Sequence, residues 1–183
     1  MASGSRSRAL AGGCLLALAA AAASANVFMT RSEALAWAFP DADRVDSKSF
    51  ALTDDQLQRI EALAQSKLDS KLVTLYTGVR GGAVIGYAYI DLHTVRTQQG
   101  AFLIVIAPDG RVERLRVIAF HEPQEYLPPQ RWLEQFEGKQ VTDPLRVERE
   151  VHGIAGATLS SQAVAGAVRR ALALHQVLVR QGG

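Results

Sequence analysis

Thiols are nearly missing from this sequence: Cys14 is the sole cysteine in 183 residues. It falls in an N-terminal stretch laid out like a removable export signal, so no cysteine follows residue 25. In the mature chain that excludes disulfides, cysteine nucleophiles, thiolate metal centres and cysteine-ligated iron–sulfur clusters. Runs of one charge sign are missing too. The chain has 20 basic and 18 acidic residues; residues 1–25 hold Arg6 and Arg8 and no acid, which leaves 18 of each beyond Ala25. A neutral chain with no basic run attracts nucleic acid or anionic lipid only weakly, and nucleic-acid binding is disfavoured. There is no Gly-x-Ser-x-Gly, no Gly-x-Gly-x-x-Gly and no phosphate-loop lysine, which argues against a serine hydrolase, a dinucleotide fold and a nucleotide phosphate loop. His93, His121, His152 and His175 show no metal-ligand spacing.

Long, strongly apolar runs are also lacking. Residues 9–25 are apolar but mostly alanine, with few leucines, and they end in Ala23-Ser24-Ala25. Spanning a bilayer takes about 20 predominantly apolar residues. A short basic start, a weak apolar stretch and a small-residue terminus form a secretory signal, expected to be cleaved after Ala25. The expected location is periplasmic, with membrane anchoring by residues 9–25 as the lesser alternative.

The 158 residues after Ala25 suit one domain with one core. Leu35, Ala36, Trp37 and Phe39 before Pro40 predict a short helix from Arg31 to Phe39. Thr53 and Gln56 form a capping-box pair, and Leu57, Ile60, Leu63, Ala64 and Leu68 recur at helical spacing, so residues 54–68 form an amphipathic helix. Residues 26–69 are therefore expected to be an N-terminal helical segment. The period then changes. Residues 71–79, 83–92 and 111–120 read as strands, and Ala101–Ala107 (AFLIVIA) reads as a strand buried on both faces before a Pro-Asp-Gly turn. Three prolines in residues 121–129 exclude regular structure there. Residues 130–136 allow one or two helical turns, with Tyr126, Trp132 and Phe136 packing that loop on the core. A long helix follows, from Ser160 to Arg180. Val164, Val168, Ala171, Leu172 and a core His175 line one side, and Gln162, Gly166, Arg169, Gln176 and Arg180 define the other. The expected class is α+β: a single domain, mostly antiparallel sheet packed with helices, with a long C-terminal helix.

The segment before that helix concentrates candidate chemistry. Two glycines and two alanines in Gly153-Ile154-Ala155-Gly156-Ala157 permit a tight turn, and Thr158, Ser160 and Ser161 gather hydroxyls where the helix begins. Unpaired N–H groups and the helix dipole favour an anion at such a position, although Ser and Thr also serve as ordinary caps. Gly156-Ala157-Thr158-Leu159-Ser160-Ser161 resembles the Gly-Ala-Thr-x-Ser/Thr-Ser motif of the FMN-binding domain family. That family includes the periplasmic flavoprotein subunits of Rnf-type and sodium-translocating NADH:quinone reductase complexes. Gly86-Tyr87-Ala88-Tyr89, the hairpin from Gly100 to Val117 and the loop at His121-Glu122-Pro123 follow in the family's order, and the likeness covers about residues 70–172. Residues 70–183 are on that basis expected to be an FMN-binding domain.

The resemblance implies FMN joined to Thr158 through a phosphoester, installed by a separate flavin transferase that uses FAD and magnesium. It also implies electron exchange with another extracytoplasmic or membrane redox protein, so the chain would be an electron carrier and not a self-sufficient enzyme. Gly156, Ala157, Leu159, Ser160 and Ser161 would surround the ester, and His121 and Glu122 are the candidates for touching the flavin. Two positions depart from the family: Ala155 stands where Ser or Thr is usual, and His152 where Asp is common. Those departures motivate the alternative of a binding or assembly module of the same fold without covalent flavin.

Overall fold

The computed structural model describes residues 26–181. The signal, its cleavage after Ala25, the anchor alternative and Cys14 all lie outside the described residues. Six antiparallel strands form one sheet: β1 (Asn26–Val27), β2 (Arg44–Ala51), β3 (Leu72–Arg80), β4 (Ala83–Thr94), β5 (Gln99–Ile106) and β6 (Val112–Phe120). Their order is β1-β6-β5-β4-β3-β2. Four α-helices join them: α1 (Arg31–Ala38), α2 (Asp54–Ala64), α3 (Gln130–Leu133) and α4 (Thr158–His175), the last running on through Gln176–Arg180 as a wider turn. The class is α+β, as expected.

Sequence explains most of these boundaries. α1 and α2 each begin with a full capping box, Thr30 with Glu33 and Thr53 with Gln56. Each box satisfies two orphan donors and is worth about 1 kcal/mol for its Thr. β3 and β4 meet at Gly81 and Gly82, whose φ values of 56° and 81° supply the left-handed turn that a two-residue hairpin needs. The side chain of Asp43 fixes that turn by accepting the Gly81 N–H at 2.6 Å.

β5 is the central layer. Phe102, Ile104 and Ile106 face one core with α2, α3 and α4, while Ala101, Leu103 and Val105 face a second, smaller core with α1. From Phe102 to Ile106 every residue is fully buried. Burying a large apolar side chain of this kind contributes about 1.5–3 kcal/mol, so the run anchors both layers.

Two expectations need correction. Residues 26–69 are not simply helical: β1 and β2 lie in that stretch and add a strand to each edge of the sheet. β2 is mostly polar (RVDSKSFA) and almost wholly exposed. Its conformation comes from pairing with β3 along its whole length, Arg44 opposite Val79 through Ala51 opposite Leu72. The second concerns α4, where the side defined by Gln162, Gly166, Arg169, Gln176 and Arg180 is partly covered, with Gln162 and Arg180 left exposed. Gly166 and Arg170 are buried, and Arg169 donates to the carbonyls of Ala64 and Leu145 at 2.9 Å each. Arg170 reaches Asp91 on β4 with two bonds of 2.7 Å and Ser66 at 2.8 Å. α4 is thus wrapped by the sheet, by α2 and by the loop before it.

Candidate functional site

The loop from Val151 to Ala157 brings the chain into α4 and presents Thr158. Gly156 has φ of 77°, with nothing near the position a Cβ would take, so backbone conformation and not crowding calls for glycine there. Gly153 is different: a Cβ on it would run into the Glu148 carboxylate. Ala157 stands at the helix cap and offers no side-chain acceptor. α1 and α2 thus close their first turns with a threonine at the cap, while α4 carries its threonine one position later and leaves the first turn without a side-chain cap. The exposed Thr158 therefore stands beside unpaired N–H groups at the positive end of an 18-residue helix.

The neighbouring hydroxyls do something else. Ser160, two residues on, lies across the helix from Thr158, and Ser161, three residues on, is also turned inward against the loop. Ser160 and Ser161 are 1% and 0% exposed. The Ser161 hydroxyl donates to the Ala157 carbonyl at 3.2 Å and accepts the Ile154 N–H at 3.1 Å. Its one proton is spent on the loop, which removes it as a donor to a phosphate. The Ser160 hydroxyl is sealed inside without a partner among the described residues. Leu159 is 47% exposed and, with Thr158, faces solvent.

Glu122 is buried, and its Oε1 accepts three backbone N–H groups: Arg96 at 3.0 Å, Thr97 at 2.6 Å and Gln98 at 2.9 Å. Burial pushes this carboxyl up. The donors at Thr97, Gln98 and Arg96 and the Arg96 charge outweigh it and hold the group below the usual carboxylate range. Glu122, a candidate for touching the flavin, thus clasps the β4–β5 turn to the loop after β6 through its Oε1. Arg96 stacks over Tyr126, 4.3 Å from the ring centre, and closes the same corner. His121 is half-buried, its N–H donates to the Gln99 carbonyl at 3.1 Å, and its Nε2 is enclosed without a partner among the described residues.

Sequence reading missed Gln135 and took Trp132 only as packing. Trp132 Nε1 donates to the His152 carbonyl at 2.7 Å, and the His152 N–H donates to Gln135 Oε1 at 2.8 Å. The available signal was chemical, since a tryptophan packed on a core seeks an acceptor for its indole N–H. No sequence pattern named His152 as that acceptor.

A cavity of about 660 Å³ lies elsewhere. It opens where β3 and β4 part beyond the pairing of Tyr76 with Ala88, and Leu72, Tyr89, Leu92, Asp91 and Arg170 are among the residues that line it. None of residues 121, 122 and 156–161 belongs to it. Among the described residues no helix is long and apolar enough to cross a membrane.

Comparison with known proteins adds one match. Residues 99–173 match the family model described as FMN-binding domain, a span that runs from β5 into α4 and takes in Glu122 and the Gly156–Ser161 motif. No curated protein matches the chain.

Proposed function

We propose, from the match of residues 99–173 to the FMN-binding domain family, that the chain is an exported electron carrier whose FMN is esterified to Thr158. The observation that carries this reading is the exposed threonine at the uncapped start of α4. The residues present fit an anionic ester. The first N–H groups of α4 have no side-chain acceptor, and a phosphodiester keeps about one negative charge at pH 7. Placing an anion at a helix N-terminus contributes about 0.3–1 kcal/mol at an exposed position. Gly156 sets the chain direction that turns Thr158 outward, and Ser161 holds the loop beneath it.

Bound flavin supplies reversible electron transfer, and the protein's part is to hold it in place. Export would follow from residues 1–25, maturation from a flavin transferase, and electron exchange from another extracytoplasmic or membrane redox protein. A second reading, a binding or assembly module without covalent flavin, draws support from Ala155 and His152 and from a 660 Å³ cavity whose lining does not include Thr158. Denaturing the protein after co-expression with a transferase separates the two. An ester keeps the yellow chromophore on the unfolded chain through gel filtration in guanidinium. Flavin that elutes as the free small molecule contradicts the covalent reading.

A further inference from the structure

We infer that Trp132 and Gln135 are positioning residues for the Thr158 hydroxyl, acting through the His152 peptide and touching neither Thr158 nor its cofactor. The inference rests on the reading of Thr158 as the flavin acceptor. Both residues sit on a rigid base. Trp132 lies on α3, Gln135 on the tight turn Glu134–Phe136 that follows, and Leu133 and Phe136 beside them are fully buried. The Trp132 ring packs edge-on against Phe136 with centres 5.4 Å apart. From that base two hydrogen bonds hold the His152 backbone, and a third ties Gln135 to Trp132. Trp132 Nε1 donates to the His152 carbonyl at 2.7 Å, the His152 N–H donates to Gln135 Oε1 at 2.8 Å, and Gln135 Nε2 donates to the Trp132 carbonyl at 2.8 Å.

The grip continues toward the threonine. The Ile154 N–H is held by the Ser161 hydroxyl, the Ala157 N–H donates to the Ile154 carbonyl at 2.9 Å, and the Ala157 carbonyl accepts from Ser161. His152, Ile154 and Ala157 are fixed in turn, with Gly153, Ala155 and Gly156 as the residues between. Ala155 and Gly156 are exposed, so bracing them buries little apolar surface and contributes little to the core. What the bracing does fix is the direction from which Thr158 leaves the loop. A displaced acceptor reacts slowly, and a misplacement of about 1 Å can cost about 100-fold in rate. The clamp holds His152 by its backbone, leaving the imidazole exposed, so it works whatever side chain stands there.

The test follows modification of purified, unflavinylated protein by a catalytic amount of flavin transferase with FAD and magnesium, read as intact mass against time. In that reaction the Thr158 oxygen takes the FMN phosphoryl group, the FAD pyrophosphate bond breaks, and AMP and the hydroxyl proton leave. Gln135→Leu removes the acceptor and Trp132→Phe removes the indole donor. Each is expected to slow modification about tenfold at saturating protein while the midpoint of thermal unfolding stays close to that of the parent. Gln135→Glu keeps an oxygen for the His152 N–H but gives up the donor to the Trp132 carbonyl, so it is expected to react about threefold faster than Gln135→Leu and below the parent rate. Hydrogen exchange at the His152 amide, which involves no flavin, should accelerate in Gln135→Leu and stay slow in Gln135→Glu. If Gln135→Leu fails to fold, Trp132→Phe carries the rate comparison. Modification of Trp132→Phe and Gln135→Leu at the parent rate overturns the inference and leaves Thr158 as acceptor. A His152 amide that exchanges no faster in Gln135→Leu than in the parent overturns it too. A parent protein that is never modified instead overturns the acceptor reading, and the inference with it.

Discussion

Lowering the pH from 7.5 to 5 should destabilise this fold by about 2 kcal/mol through one side chain, His175. The residue ends α4 and is 2% exposed, with its ring edge-on to Tyr87 at 5.0 Å and Gly110 packed against it. Its Nε2 has no partner among the described residues. Burial drives its pKa down from 6.5 to about 4; the nearby Arg180 charge pushes the same way, and Asp109 opposes weakly. The folded value therefore lies below the unfolded one. Between them the unfolded chain holds the proton and the folded chain refuses it. The stability from the neutral ring is complete above about pH 6.5 and is lost as pH falls toward 4. At pH 5 the two proton affinities differ enough to give the figure of about 2 kcal/mol. Urea unfolding at pH 7.5 and pH 5 measures it, in the parent and in His175→Phe, which keeps an aromatic ring against Tyr87 and cannot titrate. The parent should lose about 2 kcal/mol more than the variant over that interval. Equal losses in the two proteins would refute the reasoning, because the pH dependence would then arise at other groups.

Two further predictions concern the frame around the site. Asp91→Ala strands the buried Arg170 guanidinium between α4 and β4 and should cost about 3–5 kcal/mol in urea unfolding, with Asp91→Asn milder because it still offers an oxygen. Glu122→Ala leaves the N–H groups of Arg96, Thr97 and Gln98 without their acceptor, which should cost about 2–3 kcal/mol and speed hydrogen exchange at those three amides. Since the Glu122 carboxyl is held below its ordinary 4.5, its stabilisation is present above that pH and fades as the medium is acidified further.

Local physics made much of the fold legible. Ala101–Ala107 could be read as a doubly buried strand because seven apolar residues between turn signals leave no polar face to expose. The Thr53–Gln56 box marked the start of α2, and the structure keeps it. β2 was hidden because its residues carry no apolar alternation, and only the β3 edge makes it a strand. The burial of Arg170 and the pairing of half-buried Arg169 were equally hidden, since the carbonyls and the carboxylate that satisfy them lie on α2, β4 and the loop before α4.

The candidate site divides along the same line. Thr158, Gly156 and the start of α4 were readable from Gly-Ala-Thr and the glycine spacing, because turn conformation and helix ends are local properties. The roles of Ser161, Glu122 and Trp132 were not. The donors bound by Glu122 stand 24 to 26 residues earlier, and the Trp132 acceptor 20 residues later, separations over which a single sequence carries no pairing signal.

The central claim is a bond at one oxygen, and a peptide mass tests it. Trypsin cutting after Arg149 and Arg169 frees the segment that contains Thr158. After co-expression with a flavin transferase, that peptide should weigh one FMN less one water above its unmodified mass, with fragment ions placing the addition on Thr158, and Thr158→Val should show no addition. An unmodified peptide from the parent protein in a host whose transferase labels a control acceptor, or an addition that survives Thr158→Val, would contradict the account.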